Sequence, residues 1–437
     1  MEIINKDNKD QKSEYSIIRK GLIKFFDYQI KNDSKKKQKE RNIIFKEIEE
    51  LFKNETKTDK TENDNNFIKI EENKGIYIYS TEKANGENVQ ISFNLYTNSW
   101  VIASKNVTIL AKDKSDLDFY RNYEPKNKIY KKDNNNTLED KKRFTYCVEF
   151  AELWFEILEK KIKTNNLEEK LKAELCSLSI IGENVGDENH QHIKLYEEKD
   201  IQFYAIVENV GKKICLPVEE CKNFMAKFGL TMVKYKKSNL LITKEEVEKE
   251  INQLYEIILN NSVEEEGEGS VIYFSKFENG KEEILQLAKL KTFEYRFYRK
   301  LREKIKNLQK NSTSDSIKET IKVTLSKIKN ECESILNEEG DKYDLENLIN
   351  FADFVLNKIY AKGLGYNYED KYANFISVLK DLYDLETLNL KSLKINDNDN
   401  HINNYDNYNE NFNLINEEKK IYLNKKFDDL CGKLIER

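Results

Sequence analysis

Histidine is scarce in this chain, and the scarcity limits the catalytic chemistry that the protein can perform. Only three of the 437 residues are histidine. His190 and His192 form an isolated H-x-H, which we interpret as a solvated loop, and His401 lies in an asparagine-rich tract. Acid–base or metal chemistry built on histidine therefore has little material. Lysine and glutamate must carry whatever catalysis exists.

Proline, cysteine and long apolar runs are also in short supply. Two prolines, Pro125 and Pro217, leave helix breaking to Asn, Asp and Gly. Six scattered cysteines without paired ligands indicate reduced thiols rather than a disulfide framework or a zinc site. No apolar run is long enough to span a membrane, and the first residues lack the pattern of a secretory signal. We therefore expect an intracellular protein without an obligate protein partner, in the cytoplasm, the nucleus or an organelle.

The most informative feature that is present is the heptapeptide Glu82-Lys-Ala-Asn-Gly-Glu-Asn88. Lys83 follows one apolar stretch and precedes another, so two strands would present its amine rigidly. A partly deprotonated amine attacks phosphorus and holds it as a phosphoramidate. Gly86 would let the backbone turn closely around a nucleotide. The heptapeptide thus predicts a covalent lysine nucleophile.

Five further motifs follow in order along the chain. They are Ser104-Lys105, Ile180-Ile-Gly-Glu183-Asn-Val-Gly186, Ile201-Gln-Phe203-Tyr204-Ala-Ile-Val207, Glu268-Gly269-Ser-Val271-Ile272 and Leu287-Ala-Lys289-Leu-Lys291. With the heptapeptide, they resemble motifs I, Ia, III, IIIa, IV and V of the covalent nucleotidyltransferase superfamily, which contains ATP-dependent ligases and mRNA capping enzymes. The first motif looks most like that of the phage nick-sealing and kinetoplastid RNA-editing RNA ligases. The resemblance covers residues 75 to 292.

The resemblance implies a role for each motif residue. Lys83 would be the nucleophile, and Lys289 and Lys291 would neutralise the α-phosphate during catalysis. Glu183 would bind the ribose hydroxyls, and Glu268 would coordinate a divalent metal. The remaining nucleotide-binding residues would be Glu82, Gly86, Asn88, Lys105 and Phe203.

The residue types suit these roles. Lys289 and Lys291 lie two apart in a strand-like run, so they would share one face and offset charge at phosphorus together. A carboxylate such as that of Glu268 is the ligand type that magnesium prefers. Either Phe203 or Tyr204 would stack on adenine. We choose Phe203 because an aromatic residue starts the strand motif in the family, and we expect Tyr204 in the core.

Three departures from the family pattern stand out. Asn85 replaces the aspartate or histidine that many ligases carry two residues after the lysine. Asn106 stands where nick-sealing RNA ligases commonly have arginine after Lys105, so that contact is missing or supplied elsewhere. The chain also lacks the β-rich domain with an R-x-D-K-like motif that follows in DNA ligases and capping enzymes. The change to helical sequence at Phe293 favours an RNA ligase.

Basic residues cluster although the formal net charge is −5. Apolar residues recur at helical spacing from Phe293 through Phe297, Leu301, Ile305 and Leu308, so the cations between them would face outward. We therefore predict RNA contacts, by charge and shape, from this helix. The predicted RNA-binding residues are Arg296, Arg299 and Lys300. A second basic run, from Lys31 to Lys46, is a weaker candidate for RNA contact.

The coarse pattern predicts an α+β fold in three parts. Residues 1–66 would be a variable, Lys/Asn-rich helical extension with helices near Ile17–Ile30 and Ile43–Phe52 and a linker. Residues 67–292 would form the nucleotidyltransferase (adenylation) domain, with antiparallel sheets and flanking helices. Residues 293–437 would form an all-helical carboxy-terminal domain with an asparagine-rich loop at Asn396–Asn413.

Taken together, the sequence predicts an ATP-dependent RNA ligase that uses ATP and Mg²⁺ (or Mn²⁺). It would join a 5′-phosphate to a 3′-hydroxyl through a lysyl-AMP intermediate and an RNA-adenylate. The alternatives are a GTP-dependent mRNA capping guanylyltransferase, a non-catalytic nucleic-acid-binding protein and, less favoured, a DNA ligase. The sequence leaves open whether the RNA is a nicked duplex, two single strands or a tRNA half.

Overall fold

A computed structural model gives the fold of a large part of the chain. It describes residues 16–28, 44–52, 74–123, 143–186, 196–260, 267–311, 317–336, 345–361, 376–385 and 419–428. The chain divides into two compact units, one comprising Met1–Asp187, Tyr196–Ile258 and Gly269–Leu290, and the other Glu188–Leu195, Leu259–Glu268 and Lys291–Arg437. The predicted tracts Asn54–Asn66 and Asn396–Asn413, and the H-x-H at His190, lie outside the described residues.

The first unit contains two mainly antiparallel sheets. Its strands are β1 (Phe26–Asp27), β2 (Lys74–Glu82), β3 (Glu87–Asn94), β4 (Ser99–Ala103), β5 (Thr108–Ala111), β6 (Leu178–Val185), β7 (Asp200–Glu208), β8 (Tyr235–Lys237), β9 (Gly269–Glu278) and β10 (Lys281–Lys291). Sheet A has the order β1-β10-β9-β2-β8, and sheet B has the order β5-β4-β3-β6-β7. Only the short β1 runs parallel to its neighbour, β10.

Helices pack against sheet B in the first unit, and every element described after Lys291 in the second unit is a helix. Those of the first unit are α1 (44–52), α2 (Leu117–Arg121), α3 (Thr145–Ile157), α4 (Glu168–Leu175), α5 (Val218–Lys227) and α6 (Lys244–Asn260). Those of the second unit are α7 (Phe293–Asn311), α8 (Ile317–Leu336), α9 (Leu345–Ala361), α10 (376–385) and α11 (419–428). The fold class is therefore α+β, as the sequence predicts.

One face of sheet B packs against its helices because alternate residues of each strand are apolar. Val89, Ile91 and Phe93 of β3 point into this core and are nearly inaccessible to solvent. The ring of Trp100 meets that of Trp154 on α3 edge to face, at 5.3 Å between centroids. Burial of such aromatic and branched side chains is the main force that joins helix to sheet.

The opposite face of sheet B packs against sheet A. Tyr79, Val271 and Leu287 of sheet A form one buried cluster with Ile181 and Val207 of sheet B. Other strand residues lie between these apolar positions and belong to neither core. These residues are candidates for a polar site between the sheets. Strand alternation therefore decides which motif residues can face a ligand there.

The strands and helices of the motif region follow the sequence-based prediction closely. Apolar and β-branched runs in the sequence predict seven strands, and each is present, from the first at Lys74–Glu82 to the last at Lys281–Lys291. The sequence also predicts a helix at 218–228, and this helix begins directly after Pro217. The short strands β1, β5 and β8 were not predicted, since runs of two to four residues carry little periodicity.

The helix predicted near Ile17–Ile30 is wrong over the described residues 16–28, which are extended. Their backbone bonds to other parts of the first unit instead of to itself. Ser92 Oγ donates to the carbonyl of Ile18 at 2.6 Å, and the Lys20 amide donates to Ser179 Oγ at 3.1 Å. The segment then pairs with β10 through Phe26. We call residues 16–28 the amino-terminal strap. The second predicted helix is present at 44–52.

Every described element after Lys291 is a helix. Along α7 the predicted apolar stripe is confirmed as far as Ile305, because Phe293, Phe297, Leu301 and Ile305 are all buried, and the burial of Leu308 is not described. Arg299 and Lys300 are exposed between them. That the whole of 293–437 is helical stays a prediction, as do the domain boundaries. A search of the described residues for a helix long and apolar enough to cross a membrane finds none.

The strap yields a stability prediction. Ser179 is fully buried, and its hydroxyl accepts from the Lys20 amide while donating to Asn209 Oδ1 at 2.6 Å. Ser179→Ala should lower the free energy of unfolding in urea by about 1–3 kcal/mol, because it leaves buried partners unsatisfied. Ser177→Ala, on an exposed hydroxyl two residues away, should change it by less than about 0.5 kcal/mol. Equal effects would contradict the docking of the strap.

Candidate active site

Lys83 lies in a turn whose backbone is fixed by hydrogen bonds on both sides. The Glu82 amide donates to the carbonyl of Lys234, and the Lys83 amide donates to the carbonyl of Gly269, each at 2.8 Å. The amide of Asn85 donates to the hydroxyl of Tyr196 at 3.0 Å. Lys83 itself is partly buried. A lysine held this way is positioned before any ligand arrives, as a covalent mechanism requires.

The turn packs closely against the end of β6, and this closeness requires glycine at Gly86. A Cβ atom added there would lie 2.0 Å from the carbonyl oxygen of Asn184. Ala84 packs on the other side of the turn against Val185 and Val233. The lysine turn and the Glu183 strand are therefore fixed relative to each other by backbone contact.

Asn88 and Glu183 are cross-strand partners in β3 and β6. They lie on the face of sheet B turned toward sheet A, since Val89 and Ile180 point to the helical side. Asn88 Nδ2 donates to the hydroxyl of Tyr204 at 2.8 Å. Burial and the charge of Glu183 raise the pKa of Tyr204 well above its usual value, so the phenol stays neutral. These three side chains form a polar cluster beside the lysine turn.

The choice of Phe203 as the adenine-stacking residue is wrong. Phe203 has no exposed surface and packs in the helical core, with its ring 6.4 Å from that of Trp154. Tyr204 is the aromatic residue on the Glu183 face. The cause is a β-bulge, because Ile181 pairs with Ala205 while Gly182 pairs with Phe203, which leaves Tyr204 as the extra residue. A bulge redirects side chains and has no reliable signal in a single sequence.

Lys289 lies on the same side of β10 as Leu287, which belongs to the core between the sheets. Its ammonium is 4.9 Å from the centre of the Phe25 ring in the strap, close enough for a cation–π contact. Lys289 is therefore on the inner face of sheet A and partly buried. Glu82, at the end of β2, is also partly buried and pairs with Ser270 of β9.

Glu268 and Lys291 belong to the second unit, where both are associated with Tyr295. Glu268 is 6% exposed, and its carboxylate together with burial raises the pKa of Tyr295. The Lys291 ammonium lies 5.8 Å from the centre of the Tyr295 ring. Arg299 also interacts with Tyr295 and pairs with Glu303 at 3.4 Å. Tyr295 was not singled out from the sequence, where it looks like one more apolar position of a helix.

Lys105 is exposed in the turn after β4. Its neighbour Ser104 donates its amide to Cys147 Sγ at 3.3 Å. Arg296 is partly buried on α7, beside the exposed Arg299 and Lys300. Roles for these residues stay predictions.

Comparisons with known proteins give similar solved structures only. No family model matches the sequence, and no curated protein matches it. An archaeal ATP-dependent RNA ligase is 14% identical over 68% of this chain and 64% of its own, with a TM-score of 0.37. An RNA ligase of Naegleria gruberi solved with pyrophosphate is 14% identical over 57% of this chain and 54% of its own, with a TM-score of 0.29.

These neighbours are RNA ligases. One further Naegleria structure is of a mutant ligase with ATP and manganese, with 14% identity, 52% of each chain covered and a TM-score of 0.28. This chain spans less than two thirds of the length of each neighbour.

The close contact at Gly86 yields a second prediction. Gly86→Ala should lower the free energy of unfolding by about 1–3 kcal/mol, because the new methyl group forces apart the paired backbones of β3 and β6. Gly280→Ala is the matched control, since Gly280 has a φ of +75° but open space around its Cβ position. That control should cost about 1 kcal/mol. A loss for Gly86→Ala that does not exceed the loss for Gly280→Ala would contradict the contact.

Proposed function

We propose that this protein is an ATP-dependent RNA ligase that works through a lysyl-AMP intermediate. The observation that carries the proposal is the close packing of the Lys83 turn against the end of β6, the strand on which Glu183 pairs with Asn88. Three backbone amides of the turn donate hydrogen bonds, and a partly buried polar cluster lies on the adjoining strands. A fixed turn suits a nucleophile, because a near-attack geometry removes much of the barrier to reaction.

In the first step the Lys83 amine attacks the α-phosphorus of ATP. The nitrogen–phosphorus bond forms, the bond from the α-phosphorus to the bridging oxygen breaks, and pyrophosphate leaves while the amine gives its proton to solvent. Glu183 and Asn88 would hold the ribose, and Tyr204 would lie against the nucleoside. Lys289 would offset the charge that develops on the phosphate oxygens. Positioning and electrostatics suffice for such a step, which suits a chain with three histidines.

In the next two steps AMP passes to RNA and is then displaced. The oxygen of an RNA 5′-phosphate attacks the lysyl-bound phosphorus, the nitrogen–phosphorus bond breaks, and an RNA-adenylate with a pyrophosphate linkage results. A 3′-hydroxyl then attacks the RNA 5′-phosphorus. The phosphodiester forms, AMP leaves and the hydroxyl proton is lost. RNA would be held by the basic face of α7, through Arg296, Arg299 and Lys300, in a helical carboxy-terminal domain.

A divalent cation, Mg²⁺ or Mn²⁺, would supply further charge neutralisation on the phosphates. Glu268 is the carboxylate we assign to it, and Lys291 would add a second cation. Within the described residues no three His, Cys, Asp or Glu side chains form a metal-binding group. Mg²⁺ commonly takes one or two protein carboxylates and completes its shell with phosphate and water.

The proposal is tested by incubating the protein with α-labelled ATP and Mg²⁺, followed by denaturing electrophoresis. Wild-type protein should carry the label, and 5′-phosphorylated RNA should discharge it. Lys83→Arg keeps the charge but offers no nucleophilic amine at neutral pH, so labelling should fall by more than about 1000-fold. Lys112→Ala, at an exposed lysine, is the control and should label normally.

Other outcomes separate the competing functions. Label from GTP in place of ATP would identify a guanylyltransferase that caps RNA. No label from either nucleotide, with RNA still bound, would favour a non-catalytic RNA-binding protein. Label that persists in Lys83→Arg would remove Lys83 as the nucleophile and with it the proposal.

A further inference from the structure

Arg19 of the amino-terminal strap lies against the polar side of sheet B. It contacts β3, the strand that carries Asn88. Its guanidinium donates a hydrogen bond to Gln90 Oε1 and is partly buried. Gly21 also lies against Gln90, since a Cβ added there would be 2.9 Å from Oε1. The strap therefore passes close to β3 at this point, and Arg19 reaches the face between the two sheets.

The position of Arg19 is fixed by both of its neighbours. The carbonyl of Ile18 accepts from Ser92 Oγ at 2.6 Å and from Asn209 Nδ2 at 3.3 Å, and the Lys20 amide donates to Ser179 Oγ. A side chain whose backbone is held on either side loses little additional freedom when it binds a ligand. Arg19 is thus preorganised rather than a mobile surface cation.

The charge of Arg19 is not matched by an acid in the described part of the chain. Its hydrogen-bond partner there is the neutral amide of Gln90, and no described carboxylate forms an ion pair with it. Burial lowers the pKa of the guanidinium, and the other titratable group close to it is the thiol of Cys147. Partial burial of a cation without a paired anion is unfavourable. The guanidinium carries five N–H donors in one plane, and this arrangement suits the oxygens of a phosphate.

A chain of hydrogen bonds leads from Arg19 to the candidate active site. Gln90 Nε2 donates to Asn88 Oδ1 at 2.8 Å, and Asn88 Nδ2 donates to Tyr204 at 2.8 Å. The amide orientations are mutually consistent, since each oxygen accepts and each nitrogen donates. Arg19 is therefore linked to Tyr204 of the candidate site through two side-chain amides.

We propose that Arg19 binds a phosphate group in the active site and that the strap is therefore part of that site. The phosphate belongs either to the nucleotide or to the 5′ end of the RNA. The identity of the ligand, a phosphate of ATP or of RNA, rests on the proposed function. The location of the binding site rests on the geometry of the strap. It predicts that an amino-terminal segment, rather than the turn after β4, completes the anion-binding surface.

The test compares Arg19→Ala and Arg19→Lys with Lys24→Ala, an exposed lysine of the same strap. Two steps are measured separately, namely self-labelling with α-labelled ATP and sealing of chemically pre-adenylated RNA. Arg19→Ala should lose about ten- to a hundred-fold in one of them, the usual worth of a charged hydrogen bond. Arg19→Lys should lose less, and added guanidinium ion should partly restore Arg19→Ala. The thermal midpoint of each variant checks that it is folded.

The pattern of loss identifies the source of the phosphate. Weaker labelling with an increased KM for ATP and normal sealing of pre-adenylated RNA would assign the nucleotide phosphate. Normal labelling with impaired sealing would assign the RNA phosphate. Rates for Arg19→Ala that match those of Lys24→Ala in both steps would overturn the inference.

A binding measurement keeps this inference separate from the proposed function. Inorganic pyrophosphate should raise the thermal midpoint of the wild type and of Lys24→Ala by similar amounts, and should raise that of Arg19→Ala by less. If the wild type fails to label with ATP, the ligase proposal fails. The shift in thermal midpoint then tests, independently of that proposal, whether Arg19 binds a phosphate. Equal shifts in all three proteins would show that Arg19 binds no phosphate.

Discussion

The backbone hydrogen bonds around Lys83 are the constraint on which the site depends. They tie one turn to β9, to the segment before β8 and to Tyr196, while Gly86 brings the turn against β6. The two sheets are thereby joined at the lysine as well as through their apolar core. A flexible turn would lose conformational entropy on binding a ligand, whereas the backbone of this turn is ordered when the protein folds.

The polar groups between the sheets are arranged so that few are left without partners. Asn88 and Gln90 alternate with apolar residues of β3, and the strap covers this stripe with its own backbone and with Arg19. Without the strap, these polar groups would lie between the sheets with fewer hydrogen-bond partners, which is unfavourable. The hydrogen bonds of the strap to Ser92 and Ser179 thus have a structural role. By our inference, Arg19 has a role in binding phosphate.

Much of the fold could be predicted from the sequence because the long strands have clear alternation and the motifs lie at their ends. Residues such as Val89 and Ile91 identify one face of β3, and Asn88 must then lie on the other. Two errors have physical causes. A single extra residue in β7 places Tyr204, rather than Phe203, on the site face. The apolar spacing near Ile17 resembles a helix, but serine and asparagine side chains of the sheet satisfy its backbone instead.

The most direct test of the account is to locate the nucleotide on the protein. Wild-type protein is incubated with ATP and Mg²⁺, digested at a pH that preserves a phosphoramidate, and analysed by mass spectrometry. The account predicts that AMP is found on the peptide containing Lys83, in an acid-labile linkage. AMP on another lysine, or an acid-stable ester on a hydroxyl or carboxyl group, would contradict it.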